Sequence, residues 1–194
     1  SGFTLYAKWT QNIYTVSFNT MNGTFTSDSN YTTNSTTITH GGTIAKPSDP
    51  TYEGHTFNGW FTDSNFSNQY NFNNPISQNL TLYAKWTQIT YTVTFNTGSG
   101  SFVANQTVTH KNTATKPTDP TCTGYTFGGW YTNSNYTTAY NFSTQVTGNI
   151  TLYAKWNRIY YTVSFNSDGG SAVSNQSIAH GSTVSAPAAP TKDG

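Results

Sequence analysis

Any acid–base or metal chemistry in this chain would have to be built from seven acidic residues, four histidines and one cysteine. The acidic residues are Asp28, Asp49, Glu53, Asp63, Asp119, Asp168 and Asp193. General acid–base catalysis needs two such groups held together. Only Asp49 and Asp119 occupy equivalent places, in "KPSDPT" and "KPTDPT", and a third copy of the phrase reads "APAAPT", with alanine there. An aspartate in a proline-flanked turn is an ordinary structural residue. His40, His110 and His180 also recur at one position, each at the end of a strand-like phrase. A zinc site would need further Cys, His or carboxylate ligands at suitable spacing, and none stands beside them. A structural histidine at a strand end is therefore expected. His55 has Tyr125 as its counterpart and belongs to no set.

Asp168-Gly169-Gly170 opens like a calcium loop, but the oxygen ligands that should follow are missing. Cys122 sits in "PTCTG", where the sister phrases read "PTYEG" and "PTKDG", so it reads as a loop position without special chemistry. A single cysteine excludes an intrachain disulfide. No nucleophile–base motif, phosphate-binding glycine loop or Gly-x-Ser-x-Gly elbow is present. The chain reads as non-enzymatic, with no metal and no cofactor. One modification chemistry recurs: N-x-S/T sequons begin at Asn22, Asn30, Asn34, Asn65, Asn105 and Asn135, and also at Asn79, Asn141, Asn149 and Asn175. The last four include Asn79 and Asn149, which enter a strand phrase and are expected to serve a turn. The first six are the candidate glycosylation sites of an exposed surface.

Composition points the same way. Charged residues make up 8% of the chain, against about 25% in an average soluble protein. The net charge of +1 gives no footprint for nucleic acid or an anionic membrane. No apolar run approaches the roughly 20 residues of a membrane helix, so no membrane insertion is expected in this segment. Aromatics reach 16%, and together with abundant Thr they favour strands, while Asn and Ser disfavour helix.

The elements that would position any site are repeated. "TLYAKW" stands unchanged at Thr4–Trp9, Thr81–Trp86 and Thr151–Trp156. After each comes a four-residue joint and then "YTVSFNT", "YTVTFNT" or "YTVSFNS", beginning at Tyr14, Tyr91 and Tyr161. These boundaries divide the chain into a closing phrase at 1–9, a unit at 14–86 with an inserted polar loop, a unit at 91–156, and a truncated third at 161–194. Both ends fall inside a repeat, so the chain reads as an excerpt of a longer array.

Within a unit, "YTVTF" alternates strictly, with Tyr91, Val93 and Phe95 on one face, as a half-buried strand should. Glycine-rich turn chemistry and a second short strand, "NQTVTH", complete a hairpin. The two prolines of "KPTDPT" block any helix longer than a single turn. Phe127 and Trp130 of "GYTFGGWYT" are expected core anchors under a glycine-led bend. In "NITLYAKW", Ile150, Leu152, Ala154 and Trp156 share the core face, while Tyr153 and Lys155 face out, as do Tyr83 and Lys85 in the earlier copy. These four, with Tyr131 and Tyr136, are the candidate ligand-facing residues. The competing reading is a lysine stem packed on an aromatic ring.

The full pattern, from "YTVTFN" through "GYTFGGWYT" and "YNF" to "NITLYAKW", resembles the Listeria–Bacteroides repeat, the internalin-type B-repeat of bacterial surface proteins. Tyr91–Trp156 carries all of it and Tyr14–Trp86 carries it with the insertion. The resemblance implies a small β-grasp, ubiquitin-like unit with little helix, in extracellular, wall-associated or surface proteins, many of them adhesins. Joints of four residues with Ile and aromatics are too short and too apolar for a floppy linker. The expected architecture is mostly β, with small repeats arranged end to end as an elongated rod. The expected function is a semi-rigid stalk whose partners are the neighbouring repeats. Two rivals stand beside it: a module binding a host or surface glycan or protein through exposed Tyr and Asn, and a self-assembling filament of like chains.

Overall fold

The computed structural model describes residues 1–25 and 34–192; Asp28, Asn30 and Asp193 lie outside them. The chain divides into two compact units, Ser1–Ile89 and Thr90–Gly194, and each is described by itself.

In the first unit, alternating apolar residues make β1 (Ile13–Asn19), which turns back as β2 (Ser35–Thr39) in an antiparallel hairpin. The proline-flanked segment then carries the chain across to the opposite side of the sheet, where β3 (His55–Phe61) forms. "TLYAKW" lies in β4 (Leu80–Gln88), which enters between β1 and β3 to give the order β2-β1-β4-β3. The closing phrase is thus a central strand, parallel to β1 and antiparallel to β3. The second unit repeats this with β5 (Thr90–Asn96), β6 (Gln106–Thr109), β7 (Tyr125–Tyr131) and β8 (Ile150–Arg158), in the order β6-β5-β8-β7. It also contains the two-stranded hairpin of β9 (Tyr160–Val163) and β10 (Gln176–Ala179). Among the described residues there is no helix.

One face of each four-stranded sheet is the core. Val16, Phe18, Leu82, Ala84 and Trp60 gather with Ile44 and Ile76 from the crossing segments. Val93, Phe95, Leu152, Ala154 and Trp130 do so with Ala114 and Val146. Trp60 and Trp130 take their places by edge-on contacts to Phe18 (5.0 Å) and Phe95 (4.9 Å), the geometry that ring quadrupoles favour.

Trp86 and Trp156 are half-buried and pack against their core clusters, on the face the alternation assigns them. Their indole N–H groups donate to the Thr20 and Thr97 carbonyls at 2.8 and 2.9 Å, and a Cβ on Gly23 or Gly100 would fall 2.5 or 2.3 Å from the indole Cζ2. The tryptophan of "TLYAKW" therefore pins the turn after the opening strand, and glycine is what lets the ring lie there. Gly54 and Gly124 (φ +72° and +81°) lead the tight turns into the edge strands β3 and β7, closed by His55 N–H to the Tyr52 carbonyl and Tyr125 N–H to the Cys122 carbonyl, and a β-bulge follows between Phe57 and Gly59 in β3 and between Phe127 and Trp130 in β7.

Residues 1–9 carry the phrase of a closing strand without forming one. Phe3, Leu5, Tyr6 and Trp9 are 94, 95, 89 and 89% exposed. In β4 and β8 the same phrase is held by a strand on each side, and among the described residues no such pair flanks Thr4–Trp9.

Candidate functional site

The recurring histidines are placed by the hairpins. The Tyr91 hydroxyl and His110 Nδ1 lie 3.3 Å apart, and Tyr161 and His180 repeat the pair at 3.2 Å. Tyr14 and His40 face each other with ring centroids 6.0 Å apart. Each histidine thus meets the tyrosine that opens its repeat, and among the described residues no three His, Cys, Asp or Glu groups gather around a metal-sized space. His55 lies flat on Tyr52, ring centroids 4.0 Å apart. Asp49 and Asp119 pair with Lys46 and Lys116 at 2.6 and 3.1 Å, with both members of each pair about half exposed. Such surface pairs contribute about 0–1 kcal/mol.

The outward face of the central strand brings the candidate ligand-facing residues together. Tyr153 lies opposite Tyr131 in the β7–β8 register. The Lys155 ammonium sits over the Tyr131 ring, 5.4 Å from its centroid, and Tyr136 meets that ring edge-on at 5.7 Å. In the first unit Tyr83 lies opposite Phe61, and Lys85 sits over Phe61 and Phe66 at 5.0 and 5.8 Å. The lysines lean on rings from the neighbouring strand and the loop after it, not on the tyrosine of their own phrase. Cation–π contacts at such sites contribute about 0.5–1 kcal/mol. Chemically, the patch offers an aromatic surface with one cation and no acid–base pair.

The loop after β3 depends on one carboxylate. Asp63 accepts the backbone N–H groups of Asn65 and Ser67 at 3.0 Å and of Asn68 at 3.1 Å. These bonds, that of Ser67 foremost, outweigh burial and hold its carboxyl below the ordinary value of 3.8. A carboxylate with a depressed folded-state pKa stabilises fully above the unfolded value, and that contribution is lost as pH falls through the folded one. At the equivalent place Asn133 Oδ1 accepts Thr137 N–H at 3.0 Å without a charge. Asp63→Asn should therefore lower melting at neutral pH, and leave it almost unchanged only once the pH lies below the depressed folded-state pKa of Asp63. Calorimetry of both proteins at the two pH values checks this, and an equal loss at both would contradict it.

Of the sequon asparagines, Asn22, Asn34, Asn65, Asn105 and Asn135 are exposed. Asn79 and Asn149 do not serve turns. Their Oδ1 atoms accept the Thr15 and Thr92 backbone N–H groups at 2.9 and 2.8 Å, fixing the start of the parallel ladder. Cys122 is half-buried, with its thiol 3.8 Å from the Ser99 carbonyl.

A module with a pinned turn, a structural histidine and an aromatic outer face, built twice and begun a third time, defines a tandem β-repeat protein. The chain belongs to the Listeria–Bacteroides repeat domain family, whose sequence profile matches residues 14–85, 91–155 and 161–194. Over 193 residues it is 40% identical to a protein of Evansella cellulosilytica provisionally named a membrane protein, covering 98% of this chain and 28% of that protein. A second protein of that organism, provisionally named a Gly-rich membrane protein, is 38% identical over 98% of this chain and 22% of its own length. Internalin H of Listeria monocytogenes is 41% identical over 81 residues, which are 41% of this chain and 14% of internalin H. The chain thus spans about a quarter of the first two relatives. Among the described residues, no helix is long and apolar enough to cross a membrane.

Proposed function

We propose that this chain is a non-catalytic, semi-rigid spacer in an extracellular, cell-surface protein, with each complete repeat a β-grasp-like module. The order β2-β1-β4-β3, with the first and last strands parallel at the centre, supports the module assignment. The observation that carries the spacer role is the joint at Ile159. Its N–H donates to the Gly124 carbonyl of the second repeat, and its carbonyl accepts the His180 N–H of the third, both at 2.9 Å. One peptide unit on each side of a single residue thus ties two successive repeats together, where a free linker would use water. The corresponding bonds inside the first unit are Ile89 N–H to the Gly54 carbonyl (2.8 Å) and His40 N–H to the Asn12 carbonyl (2.9 Å).

The relatives provisionally named membrane proteins, and internalin H, support a surface setting. Filament formation has less support. The Gln106 carboxamide of β6 bonds both the N–H and the carbonyl of Thr115, at 2.9 and 2.7 Å, and Gln176 of β10 reaches the Ser185 carbonyl at 2.8 Å, which holds the segment after each of these two strands beside it. Solution scattering tests the spacer role. A stiff, extended particle supports it, and a compact or floppy one removes it.

A further inference from the structure

Two lysines are placed unlike the others. Lys46 and Lys116 are paired with aspartates. Lys85 and Lys155, at the same place in the two central strands, have only aromatic rings as partners among the described residues. Around Lys155 those rings form an open corner: Tyr131 and Tyr136 meet at 79°, and Tyr136 is 39% exposed. Tyr153 pairs with Tyr131 on one side and with Asn96 on the other, and such partners share a face of the sheet. The row Tyr131–Tyr153–Asn96 therefore crosses three strands on the outer face. None of its residues is buried, and Lys155, two residues from Tyr153, stands beside it.

Tyr136 adopts a backbone conformation, φ +53°, that is an outlier for a bulky side chain and costs stability. Phe66 does the same at the matching place, with φ +58°. Glycine or asparagine would relieve that strain, yet both repeats set an aromatic ring there. In both, the ring lies edge-on to the one that ends the edge strand. Strain kept for the sake of a solvent-facing ring points to a surface that meets something.

The set selects a ligand class. A small inorganic anion would use the ammonium and leave the rings idle. A neutral sugar would use the rings and leave the ammonium without an anion. A pyranose that carries a carboxylate uses both, with its C–H face on a ring, its carboxylate on Lys155 and its hydroxyls within the range of the tyrosine hydroxyls. The row lies on an open sheet face rather than in an enclosed cavity, which suits a residue within a chain. We propose that the outer patch of the second unit binds an acidic polysaccharide, one uronic-acid residue resting against Tyr136 and Lys155. This site is independent of the spacer role.

The first unit serves as the comparison. Phe61 and Phe66 stand there without hydroxyls, and Phe61 is buried. Lys85 lies 5.0 and 5.8 Å from their two ring centroids, drawn into the corner, whereas Lys155 sits over Tyr131. Asp63 also places a carboxylate in the loop that carries Phe66, where the second unit has the neutral Asn133. Each difference disfavours an anionic sugar in the first unit.

The test is a ¹H–¹⁵N titration of the whole chain with a galacturonic-acid tetrasaccharide, the neutral galactose tetrasaccharide, acetate, and an acidic peptide containing tyrosine. The uronate should shift the Tyr131, Tyr136 and Lys155 amides saturably, with a Kd on the order of 1 mM, and those of Phe61, Phe66 and Lys85 less. Tyr136→Ala should keep the fold by circular dichroism and weaken binding by roughly 2- to 12-fold, the worth of one aromatic contact. Lys155→Met should weaken it by roughly 2- to 5-fold and bring it level with the neutral sugar. The proposal is overturned if the uronate leaves those amides in place or if the neutral sugar binds as tightly. It is equally overturned if acetate or the peptide moves them at lower concentration, if the first unit responds as strongly, or if both variants bind unchanged.

Discussion

Trp130→Ala is expected to abolish the native state of the second unit and leave the first intact. Trp130 is 3% exposed and packed on Phe95 and Phe127, and emptying such a site costs about 3–5 kcal/mol. A module of this size has roughly 3–10 kcal/mol to lose, at 0.05–0.15 kcal/mol per residue. The two cores have no member in common: one is built on Trp60, Phe18 and Leu82, the other on Trp130, Phe95 and Leu152. In a ¹H–¹⁵N spectrum of the variant, amides of residues 90–156 should collapse to unfolded positions while those of β1, β3 and β4 keep their native shifts. Simultaneous loss of both sets would show that the units fold as one body.

Gly124→Ala is expected to loosen the third repeat from the second without unfolding either core. Gly124 has φ +81°, and a Cβ there would lie 2.8 Å from His180 Cδ2. The left-handed backbone alone costs a non-glycine residue about 1–3 kcal/mol, and the ring must also move. Since the Gly124 carbonyl holds Ile159 and Ile159 holds His180, the penalty falls on the joint. Hydrogen exchange at the Ile159 and His180 amides should accelerate by roughly 5- to 150-fold, the equivalent of that cost. Gly148→Ala, with nothing within 4 Å of its Cβ, should leave these amides unchanged. Unaltered exchange in Gly124→Ala would mean that the joint is not held by this contact.

The contrast between what the sequence discloses and what only the coordinates show follows sequence distance. Val93 and Phe95 were legible as core residues because alternation is written in adjacent letters. The hairpin to Val108 was legible because glycine and asparagine mark its turn. The central place of "TLYAKW" was not, because its parallel pairing joins Val93 to Ile150 across the whole unit. The job of Trp156 was hidden for the same reason: its hydrogen-bond acceptor, Thr97, is 59 residues away. Lys155 was read as facing an aromatic ring, but the ring that receives it, Tyr131, comes from the neighbouring strand. The Lys46–Asp49 pair could have been found, since the two stand at i and i+3 of one proline-flanked phrase.

The proposed spacer role is mechanical, and it requires the repeats to hold a fixed direction from one to the next. Small-angle X-ray scattering of the 194-residue chain tests it most directly. A stiff spacer gives a radius of gyration well above the roughly 16 Å of a compact domain of this length, a distance distribution with a long linear tail, and a Kratky curve that returns to baseline. A radius near 16 Å, or a Kratky curve that keeps rising as for beads on a free string, would contradict it.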